Sequence, residues 1–329
     1  MLEKIIALPP VGQDFVPECL PSVFRITVFG HRPLDARTTE CTANLYHEQA
    51  SLNVIWLCRQ PDLRLHPGAL VSIRWSGRVP RSEGCIRINR LVLLERPEAS
   101  LDLFATIPSL WVTDRSLVER AGALVRRLPH ALKHLFNAIF WDDRRFHRFL
   151  IGPSSISGHH SRRNGNFRHC VDVAECAARM VHGHGTVCTP VLTLACLLHD
   201  AGKADEYRFD PQRLRFEMSA RGVLLGHKLT VLEWIVEARA NNRIALPEPH
   251  YLALLHALTA VKGAPDWMGL REPVSLEASI LSMADRLSGQ GDLIGRLAPQ
   301  GEGFGGYHKH LGGRPFVVRG DTPLPVPSI

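Results

Sequence analysis

A histidine–aspartate pair ends the apolar run "LACLLHDAGKADEY", residues 194–207, and a lysine follows on the next turn. Burying His199 and Asp200 beside leucines costs free energy unless the charged groups are paired or bind a metal ion. The pair therefore indicates a ligand site. Lys203 would bring a positive charge next to it, where it could stabilise negative charge on a phosphate, or it could simply cap the end of its helix.

More imidazole and carboxylate groups recur in apolar helical contexts at intervals of about thirty residues, namely His169, His227, His256 and Asp285. These groups are the ligands that Mn, Fe, Zn and Mg sites use, and the helices of a bundle can bring them together. Any one of these histidines taken alone is more simply a packed core or surface residue. The combination predicts a site for divalent metal.

The sequence around these residues indicates the secondary-structure elements that carry them. After "ERPEAS", residues 95–100, apolar residues recur with a period near 3.6, which indicates helices. Two helices are expected in 116–140, broken at Pro129, and others at 142–152, 167–182, 189–201, 223–240, 249–261 and 275–288. The second half is thus predicted to be all-α. The glycine-rich stretch "GEGFGGYHKHLGG", residues 301–313, follows no predicted strand, which disfavours a dinucleotide-binding loop.

From Val23 to about Arg96 the apolar period is close to two, which indicates short strands. The candidates are "VFRITVF", "TANLY", "LNVIWLC", "ALVSIRW" and "GCIRINRLVLLE". Five strands in so short a segment predict a small closed or nearly closed antiparallel barrel. Its outer face would carry arginines, namely Arg74, Arg78, Arg81, Arg87 and Arg90. Such a barrel resembles an OB-fold that binds single-stranded nucleic acid, although a docking module with a solvated arginine face fits equally well.

The ligand pattern resembles the HD phosphohydrolase superfamily, in which His169, His199, Asp200 and Asp285 match the four defining metal ligands. Further motifs, "GHHSRRNGNFRH", "LLHDAGKADE", "GVLLGH" and "SLEASILSMADRLSG", are similar to those of YhaM-type 3′–5′ exonucleases and follow the same order. That family places an OB-fold before the HD domain, with a short helical region between them. The resemblance covers roughly residues 20–290.

The fold class implied is a five-stranded OB-like β-barrel followed by an all-α HD domain. The expected domains are an N-terminal extension (1–20), an OB-fold-like nucleic-acid-binding domain (21–98), a helical linker (99–150), an HD phosphohydrolase domain (151–313) and a C-terminal tail (314–329). A divalent metal, as one or two ions, is the implied cofactor, with Mn foremost and Mg, Fe, Ni or Zn as alternatives. If a second ion binds, Asp200 would bridge, with His227 and His256 as its candidate ligands. His159 and His160 would contact the scissile phosphate or the terminal nucleotide, unless they are only a surface pair.

Two positions depart from the family pattern. Val261 and Lys262 stand in "AVKG" where the family shows a histidine pair, so the second metal site would be weaker, lost, or completed by His256. The stretch "NGNF" replaces a Gly-Gly-Leu-Leu stretch and keeps Gly165, and with it the turn.

The favoured function is a metal-dependent 3′–5′ exonuclease acting on single-stranded DNA or RNA. One alternative is an HD phosphohydrolase of nucleotides or cyclic dinucleotides, for which a strand-binding barrel has no obvious use. Another is a nucleic-acid-binding accessory protein of a mobile element with a degenerate HD site. The net charge of +7 weakly favours an anionic partner. Reduced thiols and the lack of a long apolar run predict a cytoplasmic protein without a membrane partner, and a homo-oligomer stays open.

Overall fold

The computed structural model of the protein describes residues 19–76, 81–82, 84–265, 267 and 269–318, with the backbone alone at 81 and 82. The chain divides into two compact units, one of residues 1–151 with 232–248 and one of residues 152–231 with 249–329. Arg78, the first eighteen residues of the predicted extension and the tail from residue 319 onward lie outside the described residues.

The first unit is rich in strands. They are β1 (Phe24–Pro33), β2 (Thr39–His47), β3 (Ala50–Cys58), β4 (Leu70–Arg74), β5 (Arg81–Ser82), β6 (Cys85–Arg87) and β7 (Arg90–Leu93). They form one sheet in the order β5-β6-β3-β2-β1-β4-β7. Buried and exposed side chains alternate along β2 and β3, as the period of two predicts for strands with one face on a core.

This sheet curls back on itself. β6 ends at Arg87 near one end of the strand order, and β7 begins at Arg90 at the other end. Three Cα steps span at most about 11 Å, whereas five strand spacings in a flat sheet would separate β6 from β7 by about 24 Å. The backbone N–H of Ile88 bonds to Ile55 on β3 and that of Asn89 to Arg74 on β4, so consecutive residues reach both sides of the curl.

The sheet differs in detail from the five antiparallel strands that we expected. The last candidate, residues 84–95, divides into β6 and β7, because Ile88 and Asn89 cross from one side of the curl to the other. In addition, β6 pairs with β3 in parallel, and β5 forms a hairpin with β6.

Helices complete the first unit, namely a 3-10 turn (Phe104–Thr106), α1 (Arg115–Arg126), α2 (His130–Ile139) and α3 (Asp143–Ile151). The predicted break at Pro129 lies between α1 and α2. The fully buried Arg25 joins the sheet to this layer, because its Nη1 donates to the carbonyl of Gly68 and its Nε to Thr106. Its guanidinium also stacks 5.0 Å from the Trp111 ring centroid.

The second unit is mainly helical, but it also contains two short two-stranded sheets, which the all-α domain that we expected lacks. Its elements are α4 (Gly165–Met180), α5 (Thr189–Leu198), α6 (Lys203–Glu206), β8 (Tyr207–Asp210), β9 (Arg215–Met218), α7 (Ala220–Leu224), α9 (Glu248–Thr259), α10 (Leu276–Leu297), β10 (Gly303–Phe304) and β11 (Phe316–Val317). α8 (Gly226–Asn241) begins in this unit and continues into the first. Helices α4, α5 and α10 pack against one another through apolar side chains. Among the described residues, no helix combines the length and apolarity that crossing a membrane requires.

α10 continues nine residues beyond its expected end at residue 288. The sequence suggests an end because glycines follow, and glycine weakens a helix interior. Tertiary contacts override this preference. Leu293 is buried, and Gly289 lies under the His159 ring, where a Cβ would be only 3.3 Å from a ring nitrogen.

Candidate metal centre

Three packed helices carry the four predicted ligands of the first ion. His169 lies on α4 and is fully buried, and Asp285 lies on α10. α5 ends at Leu198, and His199 and Asp200 follow it directly, with His199 still in a right-handed helical conformation. The apolar face of α5 holds this pair against α4 and α10, because residues such as Leu194 and Leu198 are completely buried.

The side-chain ends of these residues converge on one point. His169 Nε2 lies 3.0 Å from Asp285 Oδ1, 3.3 Å from His199 Nε2 and 3.5 Å from Asp200 Oδ2. His199 Nε2 lies 3.7 Å from Asp200 Oδ2 and 3.8 Å from Asp285 Oδ1. Atoms that share one ion at about 2.0–2.3 Å lie roughly 3–4 Å from one another. His169, His199 and Asp200 therefore have the spacing of a ligand set around a single divalent ion, and Asp285 Oδ1 lies beside both imidazoles.

Hydrogen bonds fix the direction of both imidazoles. His199 Nδ1 donates to the carbonyl oxygen of Cys196 at 2.8 Å, and His169 Nδ1 lies 3.0 Å from Ser288 Oγ on α10. Each ring consequently presents Nε2 to the centre. Such outer contacts commonly orient metal-binding histidines.

The centre favours a positive charge. Burial alone would raise the pKa of Asp200, but Lys203 and the surrounding imidazoles hold it well below its ordinary value. Burial would likewise raise the pKa of Asp285, but hydrogen bonds with His169 and His199 lower it. Burial would lower the pKa of His199, and the two carboxylates instead raise it. Two ionised carboxylates, the buried Asp200 and the partly exposed Asp285, face the imidazole nitrogens and form a donor set that fits a divalent cation.

The second oxygen of Asp200 faces His227, near the start of α8. His227 Nε2 lies 3.4 Å from Asp200 Oδ1, and its Nδ1 lies 2.7 Å from Glu206 Oε2. Gly202 permits this approach, because a Cβ at that position would lie 2.1 Å from the carbonyl oxygen of His227. The two oxygens of Asp200 therefore face different histidines, Oδ2 facing His169 and Oδ1 facing His227.

His256 on α9 is not brought to Asp200 by any contact that the structure describes. Its Nε2 accepts a hydrogen bond from the backbone N–H of Val274, at 3.1 Å, in the segment before α10. Val261 and Lys262 follow the end of α9 in a turn. The role of His256 in a second metal site stays a prediction.

Lys203 is largely buried and does not lie at a helix C-terminus, since α6 begins there. Its Nζ lies 2.5 Å from Asp200 Oδ2 and 3.4 Å from Ser154 Oγ. Burial would lower the pKa of Lys203, but Asp200 raises it above the ordinary value. The ammonium group therefore stays charged beside the centre.

The double histidine lies against the metal-ligand cluster. The His159 ring centroid is 5.1 Å from that of His169, and no described residue offers a hydrogen-bond partner to the buried His159 Nε2. His160 is only 6% exposed, its backbone N–H donates to Asp292 at 2.9 Å, and burial lowers its pKa. His159 Nε2 and His160 Nδ1 are both buried ring nitrogens without a hydrogen-bond partner among the described residues, and the backbone of His160 is tied to Asp292 on α10.

Several side chains at this centre were not singled out from the sequence, namely Ser154, Glu206, Ser288 and Asp292. Two of them could have been recognised. Ser288 and Asp292 follow Asp285 by three and seven residues on α10 and therefore share its helix face. Glu206 carried no such signal, because its contact with His227 depends on how α6 meets α8.

Arg74, Arg87 and Arg90, three of the arginines predicted to bind nucleic acid, lie on the sheet of the first unit. Arg74 and Arg90 are directly opposite each other on β4 and β7, and both are exposed, as is Arg87 on β6. Like charges at facing cross-strand positions repel one another. A groove of about 850 Å³ runs beside Arg90 and also includes Arg96.

Comparisons with known proteins agree with the sequence motifs. Residues 166–290 match the HD domain family. Over 148 residues the chain is 26% identical to the 3′–5′ exoribonuclease YhaM of Bacillus licheniformis, covering 45% of this chain and 46% of that protein. The protein of the same name from Geobacillus sp. is 26% identical over 149 residues (45% of this chain, 44% of that protein), and the one from Listeria welshimeri is 23% identical over 181 residues (55% and 53%).

The matched segment spans about half the length of these curated relatives. No solved structure matches the chain significantly. The predicted resemblance to HD domains and to YhaM-type proteins is confirmed, and a strand-rich N-terminal region precedes a helical region that matches the HD domain family.

Proposed function

We propose that the protein is a metal-dependent 3′–5′ exonuclease that hydrolyses phosphodiester bonds of single-stranded DNA or RNA. The observation that carries the proposal is the cluster of His169, His199, Asp200 and Asp285, in which each imidazole Nε2 lies 3.0–3.8 Å from an oxygen of both carboxylates. The segment that contains them resembles proteins named 3′–5′ exoribonucleases.

These four residues would hold the first divalent ion, with Mn as the foremost candidate. A bound ion would polarise a phosphoryl oxygen and lower the pKa of a water molecule. Asp200 Oδ1 and His227 would hold a second ion, and the carboxylate of Glu206 would orient the His227 ring.

The remaining side chains would act on the substrate directly. Lys203 keeps Asp200 ionised, and its buried ammonium group can stabilise negative charge as it develops on the phosphate. His159 Nε2, which lacks a partner among the described residues, can bind a phosphate oxygen. His160 holds the loop that carries His159 in place through its contact with Asp292.

The first unit would supply an OB-fold-like surface for the strand. Its curled, strand-rich sheet and the exposed arginines on it support this proposal. The facing pair Arg74 and Arg90 would repel each other less with a phosphate between them. We propose residues 21–98 as this domain, 99–150 as a helical linker and 151–313 as the HD domain, in a protein that works in the cytoplasm.

Strand degradation with defined end labels tests the proposal. Single-stranded DNA and RNA labelled at either end would be incubated with the protein and Mn, Mg or Ni, or with EDTA. We expect 3′-labelled strands to release labelled mononucleotides first and 5′-labelled strands to shorten stepwise. EDTA should stop both reactions, because the ion supplies the chemistry.

Asp285→Ala serves as the matched protein control and should remove activity, because it deletes a ligand on which both imidazoles converge. Hydrolysis of nucleotides or cyclic dinucleotides with every strand left intact would contradict the exonuclease and favour a small-molecule phosphohydrolase. Binding of strands without any hydrolysis would favour an accessory protein.

A further inference from the structure

The glycine-rich segment after α10 forms a hairpin that displays aromatic rings to solvent. In this C-terminal hairpin, residues 303–317, Phe304 is 61% exposed, Tyr307 69% and Phe316 60%. The rings of Phe304 and Phe316 lie side by side on β10 and β11, with centroids 4.9 Å apart. Single exposed apolar residues are ordinary, but a cluster of exposed rings is typical of a binding surface.

Backbone hydrogen bonds anchor the hairpin to α10 and close its two strands. Gly305 N–H donates to the Pro315 carbonyl at 2.8 Å, and Gly306 N–H donates to the Leu297 carbonyl at the end of α10, at 3.2 Å. The chain passes so close to α10 that a Cβ on Gly305 would lie 1.9 Å from the Leu297 oxygen. These contacts hold the hairpin in place against α10, and its exposed rings are available for a ligand.

The hairpin is also cationic. Residues 303–317 contain Lys309, Arg314 and two histidines but no carboxylate. Arg314 Nε donates to the Gly305 carbonyl at 2.8 Å, and its guanidinium lies 5.8 Å from the Phe304 ring centroid. Aromatic rings interleaved with positive charges are the combination with which proteins bind single strands, by stacking bases and contacting phosphates.

The hairpin lies next to the loop that enters the metal centre. His310 Cδ2 is 3.6 Å from the position that a Cβ would take on Gly158. Gly158 precedes His159, whose ring lies 5.1 Å from that of His169. Arg296 on α10 holds this loop by donating to the Gly158 carbonyl at 2.7 Å. A strand end at the metal centre would therefore have the hairpin beside it.

We propose that the C-terminal hairpin binds the 3′-terminal nucleotides of a single strand. Bases stack on Phe304, Tyr307 and Phe316, while Lys309 and Arg314 contact phosphates. The inference rests on the proposed function for the direction of the strand, and it adds a substrate-binding element that the HD ligand set does not contain.

A fluorescence measurement of base stacking at the 3′ end of the strand tests the proposed role of the hairpin directly. Short single-stranded DNA and RNA would carry the fluorescent base 2-aminopurine at the 3′ terminus or at the 5′ terminus, with phosphorothioate linkages that resist hydrolysis. The probe would be titrated with the metal-loaded full-length protein. We expect binding to quench the 3′-terminal probe, because a stacked 2-aminopurine loses fluorescence, and to leave the 5′-terminal probe bright.

Variants assign the quenching to the hairpin. Tyr307→Leu and Phe304→Leu should each reduce the quenching and weaken binding about tenfold, as loss of one stacking ring does. Tyr307→Phe, which keeps the ring, should retain the quenching. Urea unfolding midpoints and metal content would show that each variant is folded.

Undiminished 3′-terminal quenching in both leucine variants would overturn the inference. Dissociation of a wild-type oligomer by Phe304→Leu would also overturn it, because a second copy of the chain would then cover the rings. Different results would contradict the proposed exonuclease and the proposed role of the hairpin. Absence of strand hydrolysis by the wild type contradicts the exonuclease, whereas the fluorescence requires only binding.

Discussion

At the scale of single residues, the candidate centre is organised around the two oxygens of Asp200. Oδ2 faces His169, His199 and Lys203, whereas Oδ1 faces His227. Because His227 is in turn held by Glu206, the second side of Asp200 has the carboxylate–histidine arrangement found behind many metal ligands. The structure describes a contact with Asp200 for His227, whereas His256 bonds to the Val274 backbone. We therefore expect His227 rather than His256 to be the ligand of a second ion.

Counting metal ions separates the roles of these two histidines. We expect two ions per chain in the wild type, one in His227→Ala and two in His256→Ala. Turnover should fall at least tenfold in His227→Ala alone. His256→Ala should cost about 1 kcal/mol of unfolding free energy, because it removes the hydrogen bond with the Val274 backbone. The readouts are elemental analysis after dialysis and urea unfolding.

His256→Ala is the matched control, since the same side chain is removed from a neighbouring helix. Loss of an ion from His256→Ala but not from His227→Ala would reverse the assignment. One ion in all three proteins would mean that the centre is mononuclear.

At the scale of elements, the centre depends on close approach of backbone segments. α8 can bring His227 to Asp200 only because position 202 has no side chain, and Gly202 is buried. On the other side, α10 presents Asp285, Ser288 and Asp292 from one face. The packing of the helices therefore determines where the ligands lie, and the loops between the helices make only local adjustments.

Gly202→Ala tests this dependence. The added methyl group would lie 2.1 Å from the His227 carbonyl oxygen, so α8 must move away from the His199–Asp200 turn. We expect a loss of about 1–3 kcal/mol in unfolding free energy, typical of overpacking, together with reduced metal retention. Thermal unfolding and metal content would be measured on the same preparations.

Gly185→Ala is the matched control, because a Cβ at that exposed position would meet nothing within 4 Å. Its stability should stay within about 0.5 kcal/mol of the wild type. If Gly202→Ala were as stable and as metal-rich as the control, the close approach would not govern the centre.

At the scale of the whole molecule, the chain combines two units of different construction and a net charge of +7. The first unit cannot be removed cleanly at residue 98, because its later residues belong to the same core. Thr106 binds the buried Arg25, and Asn137 on α2 donates to the carbonyls of Glu98 and Leu101. Single substitutions on the exposed face are therefore a better test of strand binding than truncation.

Salt dependence of strand binding tests the arginine face. Arg74→Ala and Arg90→Ala should each weaken binding and reduce the slope of log affinity against log salt by about 0.7, the value expected when a protein neutralises one phosphate fewer on a single strand. Arg127→Ala, which removes the same charge from an exposed position at the end of α1, should leave the slope unchanged. Filter binding or anisotropy over a range of salt concentrations gives the slopes. Equal slopes in all four proteins would remove the arginine face from the interface.

The sequence by itself determined the ligand types, their order and the change from a period of two to a period near 3.6. These features are local, so most strands of the first unit and most helices could be recognised from the residues alone, whereas the short strands β8 to β11 were not predicted. Burial of the pair His199–Asp200 was also predictable, because the apolar run directly before it must pack into the core and brings the pair with it.

Only the tertiary structure decided which groups meet. Regular spacing placed His227 and His256 alike, but spacing does not say which way a side chain faces, and the structure turns His256 to the Val274 backbone. The sheet's division at Ile88, the extension of α10 past Gly289 and the contact of Glu206 with His227 have the same cause. Each depends on residues distant in sequence, whose packing outweighs local preference.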